Sequence, residues 1–213
     1  YIGDAIMAFW GAPIPMPNHA DLAAKSCIEM MFAMDQLRDT FKQKGFPPID
    51  IGCGLNTGAM SIGNMGSGDR WQYTAMGDAV NLGARLEGTT KEYGVKILIS
   101  EFTKLQLTEG AFFTRDLDDI KVKGKNEPVK IFELMRPDYL PNPQAIQNLI
   151  GEFEQGRIAY KAQDFKKAEK HFKSCFLINA DDGPTALYMN RVVDYLAEPP
   201  PKEWDGVYVR TSK

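Results

Sequence analysis

The first 135 residues show hydrophobic patterns that change between strand and helix periods. Residues 1–11 are almost continuously apolar around Gly3 and Asp4, which is typical of two strands joined by a tight turn. Residues 20–44 carry apolar side chains at helical spacing, and this predicts a helix with one buried face. That helix ends at a Gly and Pro cluster that begins at Gly45.

The elements after this helix continue the alternation. We expect, in order, a strand over 49–55, a glycine-rich stretch over 58–68, a strand over 70–75, a helix opening at Asp78, a strand over 95–99, a short helix over 101–107 and two strands around Phe112 and 129–135. Strands and helices therefore share one domain, which the pattern assigns to residues 1–135.

The composition changes at residues 136–143, where three prolines predict a linker. Residues 144–213 then read as an all-helical tail, with a helical hairpin followed by a third helix over 185–197. Small and aromatic residues in this tail resemble one tetratricopeptide repeat: Gly156, Phe165, Ala168, Phe172 and Cys175. A single repeat cannot bury its own face, so we expect it to pack on the first domain or on a protein partner.

Charge and composition narrow the functional classes. The chain has 213 residues, 25 Lys+Arg against 28 Asp+Glu, and a formal charge of -3. This balance gives no overall attraction to nucleic acid or to an anionic membrane surface, and no apolar run is long enough to cross a bilayer. We expect neither nucleic acid nor membrane contact for this segment.

The cysteines and the first residues suggest where this chain works and what precedes it. Three widely spaced cysteines in apolar stretches predict buried thiols in a reducing compartment, the cytoplasm. The chain opens inside a strand pattern, without Met, which we interpret as an N-terminally truncated domain.

The glycine-rich stretch does not match the common phosphate loops. Gly58 and Gly63 have the Walker spacing, but Asn64 and Met65 stand where Lys and Ser or Thr are required. No Gly-x-Gly-x-x-Gly pattern is present, so the sequence excludes the P-loop and dinucleotide-binding classes. The remaining interpretation is a hairpin whose glycines supply positive φ angles.

The helix that follows separates into two faces, with Asp78 predicted as its N-cap. One face is small and apolar: Ala79, Leu82, Gly83 and Leu86. Asn81 and Arg85 lie four residues apart on another face. An amide suits a sugar, and a guanidinium suits a phosphate. Spacing alone also allows a solvated helix face with no ligand.

Three ordered motifs make the sequence similar to the class III nucleotidyl cyclase catalytic domain. They are residues 2–5 (IGDA), the glycine hairpin over 58–70 and residues 73–87 (YTAMGDAVNLGARLE), with VKGK following at 122–125. The resemblance covers residues 1–135. It implies an α+β, ferredoxin-like domain with a mainly antiparallel sheet, here followed by the small helical tail.

The resemblance also implies roles for single residues. Asp4 is similar to one of two carboxylates that hold two divalent ions, Mg or Mn, and the other carboxylate would precede this chain. The catalytic residues would be Asn81, which positions the ribose, and Arg85, which meets the charge that develops on phosphorus. Lys123 is similar to the lysine that reaches the terminal phosphates of the nucleotide.

Base choice in this family depends on one small residue, here Thr74, and on a lysine that would directly precede Tyr1. Bacterial-type adenylate cyclases carry Thr or Asp at the first position, and guanylate cyclases carry Cys. Thr74 therefore favours ATP, although a hydroxyl both donates and accepts hydrogen bonds. Guanylate cyclase activity remains an alternative.

The function that the resemblance implies is adenylate cyclase activity in signal transduction: ATP is converted to cyclic AMP and pyrophosphate. The sites would lie at the interface of a homodimer. A non-catalytic dimerisation module is the second alternative. Because a metal carboxylate precedes Tyr1 in the family, we expect the 213 residues alone to be inactive. Upstream membrane segments would attach the full-length protein to a membrane while this part faces the cytoplasm.

Overall fold

A computed structural model of the chain describes residues 2–68, 70–120, 128–201, 203, 204 and 206. These residues contain six helices and six strands. In chain order they are α1 (His19–Gln43), β1 (Cys53–Leu55), β2 (Ser61–Ser67), β3 (Arg70–Met76), α2 (Asp78–Tyr93), β4 (Ile97–Ser100), α3 (Glu101–Lys104), β5 (Phe113–Ile120), β6 (Val129–Met135), α4 (Pro143–Lys161), α5 (Phe165–Ile178) and α6 (Gly183–Ala197).

The chain forms two compact units. The first contains Tyr1–Thr90 with Lys96–Phe112, and the second contains Lys91–Val95 with Phe113–Lys213. The second unit thus includes β5 and β6 together with the three C-terminal helices. Our sequence-based domain boundary, between residues 135 and 136, is a different division and stays a prediction.

The first unit is built around α1, α2 and the parallel strands β1 and β4. The helix predicted over 20–44 is confirmed as α1, and its buried face consists mostly of small side chains and methionines: Ala20, Ala23, Ala24, Cys27, Met31 and Met34. Cys53 pairs with Ile97 in the β1–β4 register. All four residues of β4 are buried, which makes this strand a centre of the core.

The glycine-rich stretch forms the predicted hairpin. Strands β2 and β3 are antiparallel, with Ser61 opposite Met76 at one end and Ser67 opposite Arg70 at the other. Gly68 has a φ of +61°, in the left-handed region that favours glycine. The helix-and-strand content, with both parallel and antiparallel pairs, confirms the predicted α+β class.

The first residues confirm the predicted turn but not the predicted strands. Ile2 and Ala5 exchange two backbone hydrogen bonds of 2.9 and 3.0 Å around Gly3, whose φ is +63°. The pair is an isolated bridge, and the described residues over 6–17 form no strand. Three prolines between residues 13 and 17 lack the N–H donors that a second strand needs.

The second unit joins β5 and β6 to the helices of the tail. Phe113 pairs with Met135 in this antiparallel hairpin. Helices α4 and α5 approach closely where a Cβ on Gly156 would lie 2.6 Å from the ring of Phe172. The structure therefore contains the predicted helical hairpin and third helix, while their tetratricopeptide character stays a prediction.

A buried arginine links the strands to the tail. Arg115 on β5 is 1% exposed and donates to Glu133 on β6 at 2.6 and 3.0 Å. It also donates to both oxygens of Asp182 at 2.8 and 2.9 Å. Asp182 caps α6 by accepting from the N–H of Thr185 at 3.0 Å. One guanidinium therefore holds two strands and the start of a helix together.

The two carboxyl groups on Arg115 have opposite pKa shifts. Burial raises the pKa of Glu133, since the attraction of Arg115 only partly offsets it and Asp182 adds repulsion. Burial also disfavours ionised Asp182, but Arg115 and the hydrogen bonds from Thr185 outweigh it and lower the pKa of Asp182. The ionised form of these two buried carboxyl groups therefore depends on the positive charge of Arg115.

A second buried cluster surrounds Asp118 on β5. Its carboxylate accepts from Arg191 of α6 at 2.6 Å and from the hydroxyl of Tyr93 at 2.8 Å. Tyr188 of α6 donates to the carbonyl of Leu117 at 2.6 Å. Helix α6 thus packs on β5 within the second unit.

The sequence also predicted buried thiols and no membrane-spanning segment. All three cysteines are free and buried, as predicted. Within the part of the chain that the structure describes, no helix combines the length and apolarity needed to cross a bilayer.

We predict that Arg115→Met lowers the free energy of unfolding by about 3–5 kcal/mol at pH 7, because it leaves two buried carboxylates without their shared cation. The folded-state pKa values of Glu133 and Asp182 then lie above their unfolded values. The variant should therefore regain stability as the pH falls from 7 to 5. Chemical denaturation at several pH values measures both effects.

The matched control is Lys173→Met, which removes a surface ion pair with Glu169 in the same unit. Exposed pairs of this kind contribute under about 1 kcal/mol. A loss at Arg115→Met as small as the control loss would contradict the role given to Arg115.

Candidate active site

Helix α2 opens at the residue that the sequence predicted. Asp78 is its first residue, and the backbone N–H groups of Val80 and Asn81 donate to the carbonyl of Gly77 at 3.1 and 3.2 Å. Gly77 has a φ of +142°, so it is the residue with non-helical backbone before the first turn. The predicted N-cap role of Asp78 is wrong for this reason. Its carboxylate still suits the helix N-terminus.

The two faces predicted for α2 are confirmed. Leu82 and Leu86 are 2% and 0% exposed and pack into the core of the first unit. Asn81 and Arg85 are both exposed. The four-residue spacing places them one turn apart on the same side of the helix. The structure therefore presents an amide and a guanidinium together to solvent.

Glycines let the segment before β2 approach α2 at backbone distance. A Cβ on Gly54 would lie 2.9 Å from the carbonyl carbon of Leu86 and would overlap the carbonyl oxygen of Gly83. A Cβ on Gly58 would lie 2.9 Å from the Cβ of Ala79. Any side chain at Gly54 requires the backbone to move, so these contacts fix the distance between strand and helix.

Asn56 lies between these two glycines and was not singled out in the sequence. Its Nδ2 donates to the carbonyl of Ala79 at 2.8 Å, in the first turn of α2. Its Oδ1 accepts from the hydroxyl of Ser100 at 2.6 Å. The flanking glycines at residues 54 and 58 are the one local signal that this segment contacts another element closely.

Thr74 lies on β3, opposite Gly63 of β2, and its side chain is half-buried. The strand ends at Met76, and α2 begins two residues later. Thr74 therefore precedes the exposed pair on α2 by a short connection, on the hairpin that the sequence predicted. Its assignment as the base-reading residue stays a prediction.

Asp4 occupies the tip of the first turn, where its side chain is exposed. No group of three or more His, Cys, Asp or Glu side chains within the described ranges could hold a metal ion. Mg²⁺ is commonly bound through one or two carboxylates together with substrate phosphates. Asp4, an accessible hard oxygen donor, fits that type of site as one ligand.

The remaining predicted residue, Lys123, lies outside the described residues. Of the other four, the structure brings Asn81 and Arg85 together and places Thr74 on the strand before their helix. Asp4 lies on a separate turn near the start of the chain. These assignments to a nucleotide and to metal ions stay predictions.

Comparison with protein families identifies a matching family model. Residues 1–135 match the adenylate and guanylate cyclase catalytic domain. The match covers all three motifs that carried the resemblance in the sequence, together with the segment that contains Lys123.

Several curated relatives have adenylate cyclase names. A terminal-differentiation specific adenylate cyclase of Dictyostelium discoideum is 34% identical over 195 residues, which is 91% of this chain and 9% of that protein. Adenylate cyclase of Anabaena cylindrica is 38% identical over 140 residues, which is 63% of this chain and 27% of that protein. The chain thus spans about a quarter or less of these relatives.

Solved structures of cyclases have a similar fold. The adenylyl cyclase CyaB from P. aeruginosa is 31% identical with a TM-score of 0.53, covering 60% of this chain and 64% of that chain. The guanylyl cyclase Cya2 is 28% identical with a TM-score of 0.52, covering 60% and 63%. The predicted cyclase fold is confirmed by these matches.

We predict that Gly54→Ala lowers the free energy of unfolding by about 1–3 kcal/mol, because the new methyl group overpacks the contact with α2. Thermal unfolding and chemical denaturation measure the change. Gly88→Ala is the matched control on α2 itself, where a Cβ meets nothing within 4 Å. That control should stabilise the helix by about 0.5–1 kcal/mol. Equal effects of the two substitutions would contradict the backbone contact.

Proposed function

This chain belongs to the adenylate and guanylate cyclase catalytic domain family, and on that premise we propose that it converts ATP to cyclic AMP and pyrophosphate in signal transduction. The observation that carries the proposal is the exposed pair on α2. Asn81 and Arg85 combine a sugar-binding amide with a phosphate-binding guanidinium at the spacing of one helical turn. The relatives that are named adenylate cyclases support ATP over GTP.

The reaction forms a bond between the ribose 3′-oxygen and the α-phosphorus, and it breaks the bond from that phosphorus to the pyrophosphate oxygen. In the proposed site, Asn81 holds the ribose so that the 3′-hydroxyl faces phosphorus. Arg85 offers a planar set of N–H donors to the oxygens on which charge accumulates. Lys123 would bind the terminal phosphates and so favour departure of pyrophosphate.

Asp4 would hold divalent cations, Mg or Mn, against the triphosphate. When bound, such ions would make the attacking hydroxyl more acidic and would offset negative charge on the phosphate oxygens. Thr74 would contact the base edge, where its hydroxyl can accept from the amino group of adenine. In the proposed site, five residues thus bind the metal, the base, the ribose and the phosphates: Asp4, Thr74, Asn81, Arg85 and Lys123.

We propose a symmetric homodimer with two equivalent sites, in which Asp4 of one subunit and the Asn81–Arg85 pair of the other contact the same nucleotide. Two features support it. Asp4 and the pair lie on separate elements, and β3 carries large exposed apolar side chains: Trp71 at 65%, Tyr73 at 49% and Met76 at 56%. Exposed apolar surface of this kind is typical of protein interfaces.

We further propose that the chain acts in the cytoplasm and that its helical tail binds a protein partner. The free, buried cysteines support a cytoplasmic site of action, since reducing compartments keep thiols unpaired. Exposed apolar side chains on the tail, Ile158 at 56% and Leu177 at 90%, support a protein partner for this segment.

We predict that the full-length gene product makes cyclic AMP from ATP with Mg or Mn, and that kcat/KM for ATP exceeds that for GTP. Arg85→Ala should lower kcat about 100–1000-fold, because it removes a donor aimed at the transition-state charge. Product chromatography and initial rates measure both. Lys91→Ala, an exposed residue of the same helix, is the control and should stay near wild type. A GTP preference would assign the chain to the guanylate branch.

Mixing two inactive variants tests the shared site. Asp4→Ala and Arg85→Ala should each be inactive, but an equimolar mixture should recover about a quarter of wild-type activity. Random exchange makes half of the dimers mixed, and each mixed dimer holds one intact site of two. Analytical ultracentrifugation checks that dimers form. No recovery in exchanged dimers would contradict the composite site.

A further inference from the structure

We propose that Asn56 is a positioning residue for catalysis: its side chain fixes the first turn of α2 and thereby the placement of Asn81 and Arg85. The inference rests on the proposed function, because it assigns Asn56 to the half of the site that those two residues form. Asn56 itself need not contact the nucleotide. All the contacts that support the inference lie within the first compact unit.

A hydrogen bond joins the side chain of Asn56 to α2. Its Nδ2 donates to the carbonyl of Ala79 at 2.8 Å, across 23 residues of sequence. Ala79 is in the first turn, two positions before Asn81. A backbone carbonyl has two lone pairs, so it can accept this bond in addition to the helical one. A side chain on another segment therefore holds the helix directly beside the proposed ribose-binding residue.

The amide of Asn56 is itself held in one orientation. Ser100, which is 0% exposed, donates its hydroxyl hydrogen to Oδ1 of Asn56 at 2.6 Å. The same hydroxyl oxygen accepts from the N–H of Thr103 and caps α3. Because the carbonyl of Ala79 can only accept a hydrogen bond, the NH₂ group of Asn56 faces α2 and Oδ1 faces the hydroxyl of Ser100. Two hydrogen bonds thus connect Ser100 of β4 through Asn56 to Ala79 in the first turn of α2.

Packing alone does not fix the position of α2 along its axis. The contacts at Gly54 and Gly58 set how near α2 lies to the segment, but apolar and steric contacts have little directionality. A short hydrogen bond depends steeply on distance and angle. Asn56 therefore sets the position of the helix along its axis. A shift of about 1 Å in a positioning group can lower a rate about 100-fold.

The chain offers a matched control next to Asn56. Thr57 shares a hydrogen bond of 3.1 Å with Thr103 of α3. Like the bond from Asn56 to Ala79, it is partly buried. That bond supports the same region but involves no residue of α2. Loss of the Thr57 bond should thus affect stability without moving Asn81 and Arg85.

The test compares Asn56→Asp with Thr57→Val in the full-length gene product. Asn56→Asp keeps the acceptor for Ser100 and replaces the donor to Ala79 by an oxygen. We expect it to lower kcat at least about tenfold while KM for ATP changes less than about threefold, since binding groups stay present but are misplaced. Thr57→Val should keep kcat within about twofold at a similar loss of thermal stability. Equal losses of kcat would overturn the inference.

Mixed dimers show which half of the site Asn56 supports. Asn56→Asp mixed with Asp4→Ala should rise to about a quarter of wild-type activity, because one site of each mixed dimer is intact. Asn56→Asp mixed with Arg85→Ala should show no such rise, since both substitutions damage the same half. The reverse pattern would overturn the inference.

Failure of the two site variants to complement each other would place the error in the proposed composite site and not in the role of Asn56. If Asp4→Ala and Arg85→Ala do not complement each other, the composite site is wrong, and the comparison of kcat between Asn56→Asp and Thr57→Val alone decides the positioning role.

Discussion

The contact of a glycine-rich backbone segment with α2 is the constraint on which the candidate site depends. At Gly54 and Gly58 there is no room for a side chain between segment and helix. The inner face of α2 is therefore fixed against the core by Leu82 and Leu86, and the outer face is left to present polar groups. Between the two glycines, the side chain of Asn56 donates a hydrogen bond directly to the helix. The lack of space for a side chain at Gly54 and Gly58 thus helps to fix the positions of Asn81 and Arg85.

In the first unit, close packing at glycines fixes α2 against its neighbours. In the second unit, buried ion pairs fix β5 against its neighbours. Strand β5 is rich in charged residues, which is unfavourable for a buried strand unless each charge is paired. The tail and β6 supply those partners, with Asp182 on Arg115, Arg191 on Asp118 and Arg157 on Asp116. The helices are therefore part of the structure that holds β5 and β6 in place. Without the tail, charged side chains of β5 would lose their ion-pair partners.

The sequence was sufficient where the chemistry is local. Helical period alone separated Leu82 and Leu86 from Asn81 and Arg85, and glycine content alone located the β2–β3 hairpin. It was insufficient where partners are distant. Asn56 contacts residues 23 and 44 positions away, so no window around it reveals its role. The length of β5 was also missed, because its charged residues hide the apolar alternation that marks a buried strand.

In the proposed homodimer, two subunits share each nucleotide. A crystal structure of the dimeric full-length gene product with a non-hydrolysable ATP analogue and Mn²⁺ tests this arrangement. We expect Asp4 of one subunit to coordinate metal on the triphosphate while Asn81 and Arg85 of the other contact its ribose and α-phosphate. A nucleotide that is bound by Asp4, Asn81 and Arg85 of the same subunit, or away from all three, would contradict this arrangement.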